Sequence, residues 1–245
     1  MKKIQIKVLI VFMMAISCFS YHLKAQNQMN TKMELSPQEQ SIVAIAALTA
    51  KGDLASLKTA VNAGLEAGLS INQIKEVLVH LYAYCGFPRS IRGLQTFMEV
   101  LDDRKAKGIN DVLGAEASPI PQEQSKYERG KKVLGELTKA SQDGALSGYS
   151  AFAPVIDTFL KEHLFADIFE RDILTYAQRE LVTISVLSAI GGVEPMLRSH
   201  LAISLNVGLT RGQLNEFVGV IKSTVGEKEA KDVQVVLNEV LKNRQ

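Results

Sequence analysis

Residues 179–222 read RELVTISVLSAIGGVEPMLRSHLAISLNVGLTRGQLNEFVGVIK, and residues 40–82 read QSIVAIAALTAKGDLASLKTAVNAGLEAGLSINQIKEVLVHLY. The two stretches follow one pattern, with one inserted residue in the later copy. Apolar residues recur at i, i+3, i+4 and i+7 in both copies, and no stretch alternates as a strand would. The repeat therefore predicts an all-α protein built from two similar helical units.

The two copies differ in their reactive side chains. His200 of the second copy falls on Ala60 of the first, and His80 of the first copy falls on Val220 of the second. Each copy thus lacks a histidine that the other supplies. This division favours one composite site per chain over two separate sites.

Capping signals locate the helices. Ser36, Ser70 and Thr210 each precede a helical pattern with Glu or Gln three residues later, which is the spacing of a capping box. A helix is also expected over residues 89–101, after the Gly86-Phe87-Pro88 interruption, and another over residues 152–169. Charge, Gly, Pro and Ser mark residues 106–125 as a linker, so the predicted domains are 36–105 and 126–242.

The amino terminus has the features of an export signal. Lys2, Lys3 and Lys7 precede an apolar run that is too short to span a membrane comfortably, and a cleavage site follows Ala25. Residues 1–25 are therefore a predicted signal peptide of an exported, periplasmic protein. Lipid anchoring through Cys18 is the minor alternative.

Removal of residues 1–25 would take away four lysines and no acid, so the net charge would change from +2 to −2. The mature part has no basic patch interleaved with aromatic residues, which argues against nucleic acid as a partner. Beyond the export signal, the sequence indicates no membrane partner.

Cysteine usage excludes two further classes of site. Cleavage would leave Cys85 as the one remaining cysteine, which rules out an intramolecular disulfide and a zinc site built on several thiolates. His163, Asp167 and Glu170 have the spacing of metal ligands on a helix, but no second cluster supports them. We assign no metal.

The chain resembles the carboxymuconolactone decarboxylase family, which includes the alkylhydroperoxidase D-like proteins. The resemblance is carried by HLFADIFERDILTYAQRELVTISVLSAIGG and LRSHLAISLNVGLTRGQLNE in the second copy, and by GLEAGLSINQIKEVLVHLYAYCGFPRS in the first. It implies two tandem family domains, a homo-oligomer built through helical faces, and catalysis without a cofactor. The family hosts several chemistries on one scaffold, so its fold is a weak guide to function.

The peroxidase branch of this family carries a Glu, a Cys-x-x-Cys pair and a His. Glu180 and His200 match the acid and the histidine, but Val193 and Met196 stand at the cysteine positions. A peroxidatic thiolate and a resolving thiol are therefore both missing from these positions. The usual redox chemistry of that branch is not expected.

The candidate catalytic residues are His200, Glu180 and His80. His200 would transfer a proton, oriented by Glu180, while His80 and Tyr84 would complete the pocket from the first copy. Arg198 or Arg89 would hold a substrate carboxylate. Each residue also has an ordinary interpretation: His200 as a core-edge histidine, Glu76, His80 and Tyr84 as a polar helix flank, the arginines as solvated surface groups, and Cys85 as a buried hydrophobe rather than a reactive thiol.

Three functions remain open on this sequence. The first is a cofactor-free carboxy-lyase acting on a small carboxylated lactone or related acid. The second is a peroxiredoxin-type, thiol-dependent oxidoreductase that uses Cys85 with an external thiol. The third is a non-catalytic binding module on the same fold.

Overall fold

The computed structural model describes residues 34–120 and 123–244. The predicted signal peptide and Cys18 lie outside these residues. The described part of the chain is helical and contains no strand, which confirms the all-α prediction. None of the helices in these ranges has both the length and the apolar character that crossing a bilayer requires.

Eleven α-helices and one π-helical segment make up the described structure. The first half contains α1 Pro37–Lys51, α2 Leu54–Glu66, α3 Ile71–His80 and α4 Tyr82–Ala106. The second half contains α5 Lys126–Thr138, α6 Gly148–Phe152, α7 Pro154–Phe159, the π-segment Leu160–Ile168, α8 Tyr176–Ile190, α9 Glu194–Asn206, α10 Arg211–Thr224 and α11 Glu227–Lys242.

The sequence repeat is also a structural repeat. Helices α1 to α3 correspond to α8 to α10, and the most deeply buried helices of the two copies, α1 and α8, pack against each other. Helix α3 also packs on α8, and in the same way α10 packs on α1. The third helix of each copy therefore meets the first helix of the other, which places residues of both copies side by side.

The capping signals predicted the helix starts correctly. The side chains of Ser36, Ser70 and Thr210 accept hydrogen bonds from the third backbone N–H of α1, α3 and α10, and the Glu or Gln there bonds back to the cap. These contacts satisfy backbone donors that the helix cannot satisfy itself. Such boundaries are local, so the sequence alone defines them.

Two boundaries differ from the prediction. Helix α4 runs from Tyr82 to Ala106 with a kink at Gly86, whose φ of 78° and ψ of 162° are not helical. The helix expected over residues 152–169 is instead divided into α6, α7 and the π-segment. Pro154 has no N–H to continue α6, so a new helix starts there.

The π-segment is held close to α5 by a glycine. A Cβ atom on Gly130 would lie 1.7 Å from the carbonyl oxygen of Lys161, so only glycine permits this approach of the two backbones. At the end of the segment, the N–H of Phe169 donates to the carbonyl of Leu164 over 3.0 Å. This geometry places the ring of Phe169 towards the interface of the two copies.

One hydrophobic core joins the two copies. It includes Ile42 and Ile45 of α1 together with Leu181 and Ile184 of α8, all fully buried. Burial of each such side chain contributes about 1.5–3 kcal/mol. A smaller cluster of α5, the π-segment and α9 lies beside it and contains Leu137, Phe165 and Phe169.

Candidate functional site

Polar side chains of both copies meet where α3 and α4 pack on α8. His80, at the end of α3, is fully buried, and its Nε2 lies 2.9 Å from Oγ1 of Thr183 on α8. Its Nδ1 lies 3.2 Å from Nη1 of Arg179, one turn earlier on the same helix. Both ring nitrogens of His80 are therefore bound to residues of the second copy.

A second contact between the copies joins one carboxylate to two guanidinium groups. Nη2 of Arg179 donates to Oε1 of the buried Glu76 over 2.7 Å. Arg171 donates to both oxygens of the same carboxylate, over 2.9 Å from Nε and 3.0 Å from Nη2. Nη2 of Arg179 also donates to the backbone carbonyl of Arg171. This network links α3 to the start of α8.

His80 is held in its neutral form. Burial lowers the pKa of His80 well below the ordinary 6.5, and the positive charges of Arg179 and of protonated His200 lower it further. The ring of Phe169 closes the site on another side, with its centroid 5.2 Å from that of His80.

Glu180 and His200 form a second pair in the same region. Nδ1 of His200 lies 2.9 Å from Oε2 of Glu180, which is fully buried on α8. The other oxygen of Glu180 is buried and has no hydrogen-bond partner among the described residues. The side chain of His200 is 13% exposed, whereas His80 has no exposed surface. Of the two imidazoles, His200 is the one that a ligand can reach.

Tyr84 connects the two histidines. Its ring stacks on His80 at a centroid distance of 5.4 Å and meets His200 edge-on at 5.9 Å. Its hydroxyl lies 3.2 Å from Oγ1 of Thr183. Burial, together with the charge of Glu180, raises the pKa of Tyr84 well above its ordinary value, so the phenol stays protonated.

The structure thus brings together four of the residues singled out from the sequence. His80 and Tyr84 from the first copy lie beside Glu180 and His200 from the second. Glu76, which shares a helix face with His80, belongs to the same region. The sequence repeat, which divides the polar residues between the two copies, therefore indicated that His80 and His200 would lie in one region.

Two predicted arginines lie elsewhere. The guanidinium of Arg198 is bound to Glu239 on the surface. Arg89 is exposed and lies against Gly52, close to the thiol of Cys85. Neither side chain faces the His80–His200 cluster, because Arg198 has an acidic partner on α11 and Arg89 follows the kink at Gly86.

Cys85 follows Tyr84 in the sequence, but its thiol is not activated by a lowered pKa. Its Sγ donates to the carbonyl of Leu81 over 3.2 Å. Burial raises the pKa of the Cys85 thiol to about 11, although the positive charge of Arg89 opposes this. A thiol with this pKa is almost wholly protonated at neutral pH.

The acidic residues near His163 are engaged in ion pairs. Asp167 contacts Lys126 at 2.9 Å and His163 at 3.2 Å, and Glu170 contacts Arg129 at 2.9 Å. Within the described ranges, no group of three or more His, Cys, Asp and Glu side chains is placed to hold a metal ion.

Sequence reasoning missed Arg179 and Thr183. They are four residues apart on α8, so they share one face of a helix that is buried from Arg179 to Ala189. Their i, i+4 spacing was the signal that the sequence offered. The corresponding residues of the first copy are Gln40 and Ala44, and Nε2 of Gln40 donates to Oε1 of Glu216 over 2.9 Å. The Gln40–Glu216 contact is therefore the repeat equivalent of the Arg179–Glu76 contact, with an uncharged amide as the donor instead of a guanidinium.

The lowered pKa of His80 predicts a loss of stability in acid. The unfolded chain binds a proton at this imidazole below about pH 6.5, whereas the folded chain does not, so the free energy of unfolding falls as the pH drops below that value. The slope from this residue approaches about 1.4 kcal/mol per pH unit. Urea unfolding at several pH values should show a shallower acid loss for His80→Gln than for the wild type. Equal slopes in the two proteins would contradict the assignment.

Comparison with known proteins identifies the family. The family model described as "Carboxymuconolactone decarboxylase family" matches residues 21–97 and again residues 154–236. A curated relative is the 4-carboxymuconolactone decarboxylase of Acinetobacter baylyi (strain ATCC 33305 / BD413 / ADP1), which is 30% identical over 97 residues. The match covers 39% of this chain and 72% of the relative. The chain belongs to the carboxymuconolactone decarboxylase family, with two family regions in tandem.

Proposed function

We propose that the protein is a cofactor-free carboxy-lyase that acts on a small carboxylated lactone or related acid. The family and the name of the relative support carboxymuconolactone decarboxylase-like chemistry. The observation that carries the proposal is the contact of His200 with Glu180, because it provides a partly exposed imidazole backed by a buried carboxylate.

The proposed reaction breaks one carbon–carbon bond. The bond to the substrate carboxylate cleaves, carbon dioxide leaves, and the electron pair is delocalised into the carbonyl group of the substrate as an enolate. Protonated His200 then gives its Nε2 proton to carbon, and solvent returns a proton to the imidazole. Glu180 stabilises the imidazolium before transfer, and its bond to Nδ1 directs Nε2 away from itself.

The ring of Tyr84 lies beside His200, with 5.9 Å between the ring centroids, and its hydroxyl stays protonated. A neutral phenol can donate a hydrogen bond to the enolate oxygen, and such donors are effective where water is excluded. The aromatic rings of Tyr84 and Phe169 also lower the polarity around the site, which destabilises a bound carboxylate relative to carbon dioxide.

A direct assay tests this proposal. Purified protein is incubated with 4-carboxymuconolactone, the substrate in the name of the relative, and with related carboxylated lactones, and carbon dioxide release is measured. We expect release that depends on enzyme concentration and continues in the presence of a chelator. No release from any of these acids would reject the lyase assignment.

No observation favours the peroxidase alternative. Cys85 is partly buried and its pKa is raised to about 11, so little thiolate is present to attack peroxide. Peroxide consumption in the presence of dithiothreitol should therefore be the same before and after Cys85→Ser. The binding-module alternative differs from the lyase in predicting no turnover of a bound acid.

We further propose that the protein forms a homo-oligomer through α6 and α7. Phe152 is 92% exposed, and other apolar side chains of the same short helices are exposed too: Tyr149, Val155, Ile156 and Phe159. An apolar surface of this kind marks an interaction site. A second copy of the chain would cover these residues with the same apolar surface, as an isologous contact requires.

Phe152→Asp is therefore expected to shift the protein to a smaller species in size-exclusion chromatography with light scattering. A buried unpaired carboxylate would cost more than the contact contributes. Met98→Asp, at an exposed methionine of α4, is the matched control and should leave the mass unchanged. A monomeric wild type would contradict the proposal.

We also propose that the protein is exported. This proposal is supported by the lysines and apolar run of residues 1–25. Mass spectrometry of protein recovered from the periplasm should find Gln26 at the amino terminus.

A further inference from the structure

The partners of His80 determine which of its ring nitrogens donates a hydrogen bond and which accepts one. Arg179 carries donors and no acceptor, so Nδ1 of His80 must accept from its Nη1, over 3.2 Å. A neutral imidazole that accepts at Nδ1 carries its proton on Nε2. This proton is donated to Oγ1 of Thr183, which lies 2.9 Å away.

The surroundings of His80 leave no place for a second proton. A proton on Nδ1 would point at the Arg179 guanidinium. Glu76, on the same helix as His80, directs its carboxylate to Arg179 and Arg171 and has no contact with the ring. Within the described residues, the groups that face His80 from elements other than α3 and α8 are the phenol of Tyr84 on α4, the ring of Phe169 after the π-segment, and His200 on α9. None of these supplies a negative charge to an imidazolium.

Thr183 links the fixed ring of His80 to Tyr84 by hydrogen bonds. Its Oγ1 accepts from His80 and lies within hydrogen-bond distance of the Tyr84 hydroxyl, at 3.2 Å, and of the Arg179 carbonyl, at 3.0 Å. His80 also stacks on the Tyr84 ring. Both ends of the phenol are therefore positioned by residues that Arg179 holds in place.

We propose that Arg179 is a positioning residue that locks His80 as a neutral Nε2–H donor, so that His80 holds Thr183 and Tyr84 in place and proton transfer is left to His200. The catalytic half of this inference rests on the proposed function. It changes the role that the sequence suggested for His80, from a catalytic residue that completes the pocket to a fixed support. Arg179 and Thr183 are added to the site.

The other copy of the repeat supports reading these residues as one unit. Arg179, Thr183 and His80 correspond to Gln40, Ala44 and Val220. All three residues of this hydrogen-bonded group are therefore replaced in the other copy of the repeat. The repeat equivalent of the site also lacks the reactive pair, because Ser41 and Ala60 replace Glu180 and His200.

The first test is the protonation state of His80, read by NMR of full-length protein labelled with ¹⁵N-histidine. We expect the neutral Nε2–H form of His80 throughout about pH 5 to pH 8. In Arg179→Met, which removes the donor while Arg171 still pairs with Glu76, Nδ1 should lose its hydrogen bond and its ¹⁵N shift should change. A wild-type His80 in the Nδ1–H form, or one that is an imidazolium in this range, would overturn the lock.

The second test applies even if Arg179→Met does not fold. Thr183→Val should lower kcat by about tenfold, the effect of one lost hydrogen bond, with an unchanged KM and an unchanged shape of the pH profile. Thr183→Ser should restore turnover. Thr49→Val is the matched control, because Thr49 is also buried and donates to the carbonyl four residues earlier, yet it lies on α1 away from the site.

Full turnover in Thr183→Val would overturn the positioning role, even if the lyase activity itself is real. If the wild type does not turn over any carboxylated lactone, the proposed function fails instead, and the NMR result alone decides whether Arg179 locks His80. The two failures are therefore distinguishable.

Discussion

Replacing His200 with glutamine is expected to lower kcat for decarboxylation by about 10²- to 10⁴-fold, the usual contribution of a positioned acid or base. Glutamine can keep a hydrogen bond to Glu180 but cannot carry the proton that carbon must receive. KM should change little, because the imidazole contributes more to proton transfer than to binding of the ground state. The measurement is steady-state carbon dioxide release from 4-carboxymuconolactone.

The controls separate loss of chemistry from loss of structure. His163→Gln removes an exposed histidine that contacts Asp167 and should turn over like the wild type. Glu180→Gln should also lower kcat strongly, since it removes the charge that stabilises the imidazolium while keeping the size of the side chain. Thermal unfolding of each variant checks that the fold is retained. Turnover of folded His200→Gln at the wild-type rate would remove His200 from the mechanism.

The sequence predicted much of the fold because much of it is decided locally. The caps at Ser36, Ser70 and Thr210 involve residues three positions apart, and the apolar patterns of α3 and α10 need no knowledge of the partner helix. The π-segment could not be predicted in this way. It depends on the close approach of Gly130 to Lys161, two residues that are far apart in sequence.

The site was predictable only in part, for a similar reason. The repeat indicated that His80 and His200 would complement each other, and they do lie in one region. Arg198 was a reasonable candidate because it lies two residues before His200 on α9, but it binds Glu239, 41 residues away, on the surface. Arg179 is the fourth residue of α8, and a charged residue near a helix start is ordinarily exposed to solvent. Its burial follows from the packing of α3 and α4 against α8, which no local pattern encodes.

Removing Glu76 is expected to destabilise the protein by about 3–5 kcal/mol, the cost of leaving a buried charge without its partner. Glu76→Ala leaves Arg179, which is fully buried, with no carboxylate, while Arg171 can turn to solvent because its side chain is 38% exposed. Both interactions join the first copy to the second, so their loss should lower the free energy of unfolding measured in urea. Glu216→Ala is the matched control, since Glu216 is the repeat equivalent of Glu76.

The partners of Glu216 are the uncharged amide of Gln40 and the backbone N–H of Leu35, so its removal should cost only about 1–2 kcal/mol. Equal destabilisation by the two substitutions would show that the charge of Arg179 is not the reason. The double variant Glu76→Leu with Arg179→Met should recover most of the loss, because a buried pair replaced by apolar side chains of similar size leaves no unpaired charge. It should still lack efficient turnover, since His80 would have lost the donor that fixes its Nδ1. Stability without activity in this double variant would separate the two tasks of Arg179, which are to join the copies and to orient the site.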